Sequence, residues 1–232
     1  MQQLPLGIRI PDRAVFATFL EGPNGQAVAA LRSLAAGTTT GTVWLCGPSG
    51  VGKTHLLQAT CVLASERARA GYFPLRRLSP LGAAALEGLT ELGCICVDDV
   101  EAVAGDPEWE RALFGLVREL DERGGRLLAA STSPPALIAW SLADLGSRCA
   151  ASTIFQLKGL DEREQRRALE LRAQLRGLEL PEETVRWLQR RFPRDMRTLY
   201  ELLDTLDEAS LVERRRLTVP FIRSVLRARA QA

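Results

Sequence analysis

At 232 residues, with 46% hydrophobic and 25% charged side chains, the chain has room for one substantial core and a smaller lobe, which excludes a disordered tail or a string of domains. Thirty basic side chains against 28 acidic ones give a net charge of +2, with 14 basic and 15 acidic in residues 1–158 and 16 and 13 in the rest. Neither part is basic enough to coat nucleic acid unaided, and a single histidine, His55, excludes any site that needs two imidazoles.

Residues 1–25 hold three prolines and three glycines, and Met1–Pro5 has neither the basic nor the apolar region of a signal peptide. Gln26–Leu34 has the spacing of a short amphipathic helix, and Val43–Cys46 is an apolar run of strand type ending at Gly47. A helical pattern covers roughly 53–70. Tyr72–Leu75 and Cys94–Val97 read as the second and third strands, the latter closing on Asp98-Asp99. A helix near 107–123 leads through Gly124-Gly125 to a fourth strand, Arg126–Ala130, which stops at Ser131-Thr132-Ser133, and Ile154–Leu157 is the fifth. Strands alternating with helices predict an α/β domain, a five-stranded parallel sheet with helices on both faces. Beyond Leu160 helical patterns at 161–176, 181–192, 195–208 and 218–229 predict a small all-α lobe. The longest uncharged stretches, 33–52 and 127–143, are broken by Gly, Thr and Pro, so a cytoplasmic protein without a membrane partner is expected. The five cysteines lack paired CxxC spacing and read as small buried hydrophobes in a reducing compartment.

Gly47–Thr54, GPSGVGKT, satisfies G-x-x-x-x-G-K-[ST] directly after a strand and at the opening of a helix. Its chance occurrence at this composition is on the order of one in a thousand. The backbone N–H groups of Gly47, Gly50, Val51 and Gly52 can curl around phosphate oxygens, with the helix N-terminus adding partial positive charge. Lys53 then reaches the β/γ-phosphates and the Thr54 hydroxyl binds Mg²⁺, so ADP or ATP with Mg²⁺ is the expected cofactor. Lys53 and Lys158 are the only lysines beside 28 arginines, which singles out Lys53 further. The strand ending at Asp98-Asp99 supplies the acidic element: Asp98 to hold the metal directly or through water, and Asp99 to orient or deprotonate the attacking water.

With both elements placed, the chain resembles the AAA+ P-loop ATPases and, within them, the initiator DnaA and its short homologues of the Hda family. Phe19–Gln26 (FLEGPNGQ) is similar to their linker beside the adenine, and Asp98–Glu101 with Ala104-Gly105-Asp106 to the pattern after the third strand. Asp144–Arg148 (DLGSR) resembles the segment carrying the arginine finger, and Asp195–Leu199 (DMRTL) the one carrying the second sensor. The resemblance implies three parts: a clamp-binding arm at 1–12, a nucleotide-binding domain at 13–160 and a helical lid at 161–232.

By the same resemblance, Arg148 acts in trans on a neighbouring subunit and Arg197 contacts phosphate in cis. The bland alternatives are a surface arginine among 28 and an ion pair within the lobe. Thr132 takes the first-sensor place, where the homologues more often carry Asp, with Ser131 or Ser133 able to share it. Asp99 stands where ring ATPases usually carry Glu. His55 is read as a packing or helix-surface residue. Gln3-Leu4-Pro5-Leu6-Gly7-Ile8 resembles the sliding-clamp peptide, with Gln3 for the pocket rim and Leu4 and Leu6 for the apolar groove, and with Gly7 in place of the usual Pro. A chain stopping at Ala232 is expected to lack the initiator's helix-turn-helix domain and to meet DNA only through the clamp, in the nucleoid. The expected function is stimulation of ATP hydrolysis on DnaA, preventing re-initiation. The expected partners are DnaA, the clamp and, in a homo-oligomer, further copies of the chain. The alternative is a self-acting AAA+ ATPase of the helicase-loader kind.

Overall fold

The structure, a computed structural model, describes residues 14–192, 196–213 and 216–230. The segment that resembles a clamp peptide, with Gln3, Leu4 and Leu6, lies outside them, as does Asp195. The chain divides into two compact units: one takes in the segment up to Phe19, Gln26–Gly47 and Lys53–Gln156, the other Leu20–Gly25, Pro48–Gly52 and the chain from Leu157 on.

In the first unit, α1 (Gly25–Ala36) leads to β1 (Gly41–Cys46), α2 (Lys53–Ser65), β2 (Ala70–Pro74), α3 (Leu75–Leu78), β3 (Cys94–Asp98), α4 (Pro107–Arg123), β4 (Arg126–Ser131), α5 (Ala143–Ala150) and β5 (Thr153–Gln156). The five strands form one sheet in the order β2-β3-β4-β1-β5, and every neighbouring pair is parallel. Register places Cys46 opposite both Ser131 and Gln156, and Pro74 opposite Asp98, so the carboxyl ends of the strands share one edge. All five residues of β3 are buried, and the first four, Cys94–Val97, are the run of apolar side chains that a strand covered on both faces needs. Trp44, Ile95, Trp109, Leu113 and Leu127 lie in the core on one side, with Leu145 of α5.

Two segments depart from the sequence reading. α2 stops at Ser65 rather than near 70, because Ala70 and Gly71 already pair with Cys94 and Ile95 as the start of β2. Leu75, counted with the second strand, opens α3 instead. α5 carries no long periodic pattern, since only Leu145 and Cys149 of its eight residues are buried. Its Gly146 has a steric cause: a Cβ there would lie 2.8 Å from Trp140 Cδ1.

In the second unit, α6 (Glu162–Leu175), α7 (Glu182–Arg191), α8 (Met196–Glu213) and α9 (Val219–Ala230) pack around Leu169, Val185, Leu188, Leu203, Leu206 and Ile222. α6 begins with a capping box. The Asp161 carboxylate accepts the Glu164 N–H at 2.7 Å, and the Glu164 side chain accepts the Asp161 N–H at 2.9 Å. The Arg176 side chain, 6% exposed, pairs with Asp204 and Asp207.

Candidate nucleotide-binding site

β1 is the strand between β4 and β5, and its last residue runs straight into the phosphate loop, which ends as α2 begins at Lys53. Gly50 (φ 79°) and Gly52 (φ 103°) take backbone conformations that side-chain-bearing residues rarely adopt, so the spacing of the motif is a backbone requirement. Lys53 is buried and its Nζ donates to the Gly47 carbonyl at 2.6 Å. Burial pushes its pKa down, opposed by the nearby carboxylates of Asp98, Glu101 and Asp99. A cation held in this way is ready to exchange a carbonyl for a phosphate oxygen.

The Thr54 hydroxyl donates to Asp98 Oδ2 at 2.6 Å, so the end of β3 and the first turn of α2 meet at two oxygens. Asp98 Oδ2 also accepts the Tyr72 hydroxyl at 2.9 Å, and Oδ1 accepts the Asp99 N–H at 3.0 Å. Burial pushes the Asp98 carboxyl above its ordinary value, with the Asp99 charge adding to the rise and the Thr54 and Tyr72 hydrogen bonds opposing it. Tyr72 is pushed up in turn, by burial first and then by Asp98. Tyr72 was not singled out from the sequence. Its signal is register: Pro74 lies opposite Asp98, which puts Tyr72 one inward position away on the adjacent strand.

Among the described residues no three His, Cys, Asp or Glu side chains gather into a metal cage. Mg²⁺ in phosphate sites takes one or two protein oxygens and completes its shell with phosphate and water, so the Thr54 hydroxyl and Asp98 carboxylate are a fitting donor set. That ion would neutralise charge building up on the phosphates.

Asp99 is the one residue other than glycine at positive φ among the described residues (φ 54°, ψ 46°), and its Oδ2 lies 3.4 Å from Arg76 Nε. Glu101, on the 3₁₀ turn Val100–Val103, accepts the Thr132 N–H at 3.1 Å. Thr132 is exposed at the end of β4 and its carbonyl accepts the Gly47 N–H at 3.2 Å. Ser131, the alternative first sensor, is fully buried: it accepts the Trp44 indole N–H at 2.7 Å and donates to the Ser133 carbonyl at 2.5 Å, which makes it a packing residue.

His55 is neither a bare surface residue nor simple packing. Its Nε2 lies 3.0 Å from the Val15 carbonyl and 3.2 Å from Thr18 Oγ1, and its ring is 5.4 Å from that of Phe19. It thereby fastens the segment before α1 to the helix of the phosphate loop. In the second unit, the buried Asn24 of the FLEGPNGQ segment exchanges two hydrogen bonds with the Lys158 backbone, at 2.8 and 3.0 Å.

Arg148 sits in the last turn of α5. Its Nη1 meets Asp121 of α4 at 2.8 Å, and the guanidinium lies 5.7 Å from the Phe114 ring centre. Arg197 of α8 pairs with Glu201 one turn on, at 2.9 Å, the in-lobe pairing that the sequence left open; the pair is exposed. Sequence reasoning missed Glu110, a fully buried carboxylate on α4. Its Oε1 accepts the N–H groups of Gly105 (2.6 Å) and Ser141 (3.0 Å), and its Oε2 that of Leu142 (2.6 Å), directly before α5. No local pattern marks it, since its partners lie up to 32 residues away.

Residues 161–226 match the family model described as the lid domain of Hda. In three dimensions the chain is similar to domain III of the replication initiation protein DnaA of Thermotoga maritima, with a TM-score of 0.80, 21% identity, and 94% of this chain and 97% of that one covered. It is similar also to AMPPCP-bound DnaA from Aquifex aeolicus, with a TM-score of 0.66, 20% identity, and 78% and 61% covered. A third similar structure is the RuvB Holliday junction branch migration motor of T. maritima, with a TM-score of 0.65, 15% identity, and 88% and 67% covered. The AAA+ fold read from the sequence, a five-stranded parallel sheet followed by a helical lid, is borne out by these neighbours and by the lid match. The resemblance to the Hda family is borne out over residues 161–226, and the fold of the chain is similar to that of DnaA domain III.

Proposed function

We propose that a chain with a DnaA-type AAA+ fold and an Hda-type lid is a regulator of replication initiation that stimulates hydrolysis of ATP bound to DnaA. The observation that carries this reading is the match of residues 161–226 to the Hda lid. In this account the protein holds ADP or ATP with Mg²⁺ on Gly47–Thr54 and docks on the DNA-loaded sliding clamp through Gln3, Leu4 and Leu6. It then offers Arg148 to the nucleotide of the initiator. A guanidinium bridges phosphate oxygens in a planar fork and stabilises charge that develops in the transition state. Fingers supplied in trans contribute about 10³–10⁵ in rate in other phosphoryl-transfer systems, so one side chain suffices for a switch. The chemistry takes place in the partner's pocket.

The test is hydrolysis of initiator-bound ATP with and without this protein and clamp-loaded DNA. Stimulation that depends on both, and that is lost in Arg148→Ala and in Gln3→Ala, is the expected result. An Arg148→Ala protein that stimulates as well as wild type overturns the finger assignment. The intact phosphate loop and the Thr54–Asp98 contact support a second reading, a self-acting ATPase. Steady-state turnover by the protein alone near 1 s⁻¹ or faster, within the range of working enzymes, would favour it.

A further inference from the structure

Three acids follow β3, and each is held differently. Asp98 has both oxygens engaged, by Thr54, Tyr72 and the Asp99 N–H. Asp99 is turned toward Arg76. Glu101 makes one hydrogen bond, to the Thr132 N–H, while its second oxygen, Oε2, is buried without a hydrogen-bond donor, its charge acting on nearby Lys53. A buried acceptor without a donor costs about 1–3 kcal/mol, so this carboxylate is not kept for the stability of the sheet unit.

What it does is visible in the connections beyond it. Glu101 Oε1 accepts the Thr132 N–H at 3.1 Å, the Thr132 carbonyl accepts the Gly47 N–H at 3.2 Å, and the Gly47 carbonyl accepts Lys53 Nζ at 2.6 Å. Three loops at the carboxyl edge of the sheet, after β3, β4 and β1, are thus joined in series. The series begins on a fixed charge and ends on the ammonium of the phosphate loop. The N–H and C=O of Thr132, like those of Gly47, belong to adjacent peptide groups hinged at the Cα, so holding the first N–H restrains the backbone that presents the next carbonyl. Without it, the exposed Thr132 peptide can turn to water at little cost, which releases the Gly47 N–H and loosens the carbonyl that aims Lys53.

We propose that Glu101 is a positioning residue for the phosphate loop: by anchoring the Thr132 and Gly47 peptides it holds Lys53 where the β-phosphate of a nucleoside diphosphate or triphosphate is recognised. This rests on the nucleotide-binding reading of Gly47–Thr54. It gives Glu101, rather than Asp99, the organising role among the three acids.

The experiment compares the affinities of wild type, Glu101→Ala and Glu101→Gln for ADP and for AMP, together with their melting temperatures without nucleotide. The alanine protein is expected to bind ADP about tenfold more weakly, the scale of one hydrogen bond to a charged group, with AMP affinity and melting temperature near wild type. The glutamine protein, whose amide oxygen still accepts the Thr132 N–H, is expected to bind ADP within about threefold of wild type. Equal ADP binding by the alanine and wild-type proteins overturns the proposal. So does an equal loss of ADP and AMP affinity, which marks a merely structural role, and so does a glutamine protein as weak as the alanine one. Wild-type protein that binds neither nucleotide overturns the nucleotide reading itself.

Discussion

Arg148 and Asp121 show how little a single contact fixes when both partners face solvent. Their side chains are 37% and 38% exposed, and an ion pair in such a setting contributes about 0.2–1 kcal/mol. Asp121→Asn is therefore expected to leave the melting temperature within a few degrees of wild type and to keep or raise the stimulation of initiator-bound ATP hydrolysis. A loss of stimulation would make Asp121 a part of the finger rather than its resting place. Asp98 supports a second expectation. Burial raises its folded-state pKa above the unfolded value of about 3.9, so the folded protein takes up the extra proton, and that contribution to stability is lost as pH rises through the raised value. Nucleotide- and metal-free Asp98→Asn should accordingly gain stability over wild type as pH climbs above about 4, measured by melting across pH. At this scale the motif residues were legible because the backbone enforces their spacing, as Gly50 and Gly52 do. Tyr72, Glu101 and Glu110 were not, because their partners are set by register and by loops far away in the chain.

Helices announced themselves where their ends are chemically marked. α4 starts with Asp106, whose Oδ1 accepts the Glu108 and Trp109 N–H groups at 2.9 and 3.3 Å with Pro107 in the first turn, and it stops at Gly124 in the left-handed region. Its limits, 107–123, were readable for that reason. α5 has no such cap and is held from outside, by the Glu110 carboxylate on the Ser141 and Leu142 N–H groups. Glu110→Ala would leave three backbone donors without their acceptor. A loss of about 2–4 kcal/mol is expected in chemical denaturation, from hydrogen bonds to a charged acceptor and the desolvation of its partners. The same change should weaken stimulation in proportion to disorder of α5, read from hydrogen exchange of 141–150. β5, legible in the sequence as the run Ile154–Leu157, is an edge strand: three of its four residues are exposed, and it pairs with β1 alone.

For the whole molecule, ligand binding and folding are linked. If ADP binds the native chain alone, a concentration 100 times its dissociation constant stabilises it by about 2.7 kcal/mol, and removal of ADP lowers the melting temperature accordingly. Lys53→Ala should abolish that shift while leaving the nucleotide-free transition in place. The five cysteines, all buried and none in a disulfide, give an independent check on integrity. Burial pushes the Cys149 thiol up to about 12. Reaction needs both a thiolate and access, so thiol reagents should label the native protein only at its unfolding rate and label all five at once in denaturant.

The Arg148–Asp121 contact has a kinetic consequence as well. A bond worth at most about 1 kcal/mol leaves the arginine unpaired in roughly one molecule in six or more at any instant, and side-chain exchange on the exposed surface takes nanoseconds. A catalytic group that is free so often is not gated by its own protein. If Arg148 is the finger, the tempo of regulation is then a matter of encounter: the frequency with which the two proteins are brought side by side, and the time they spend there.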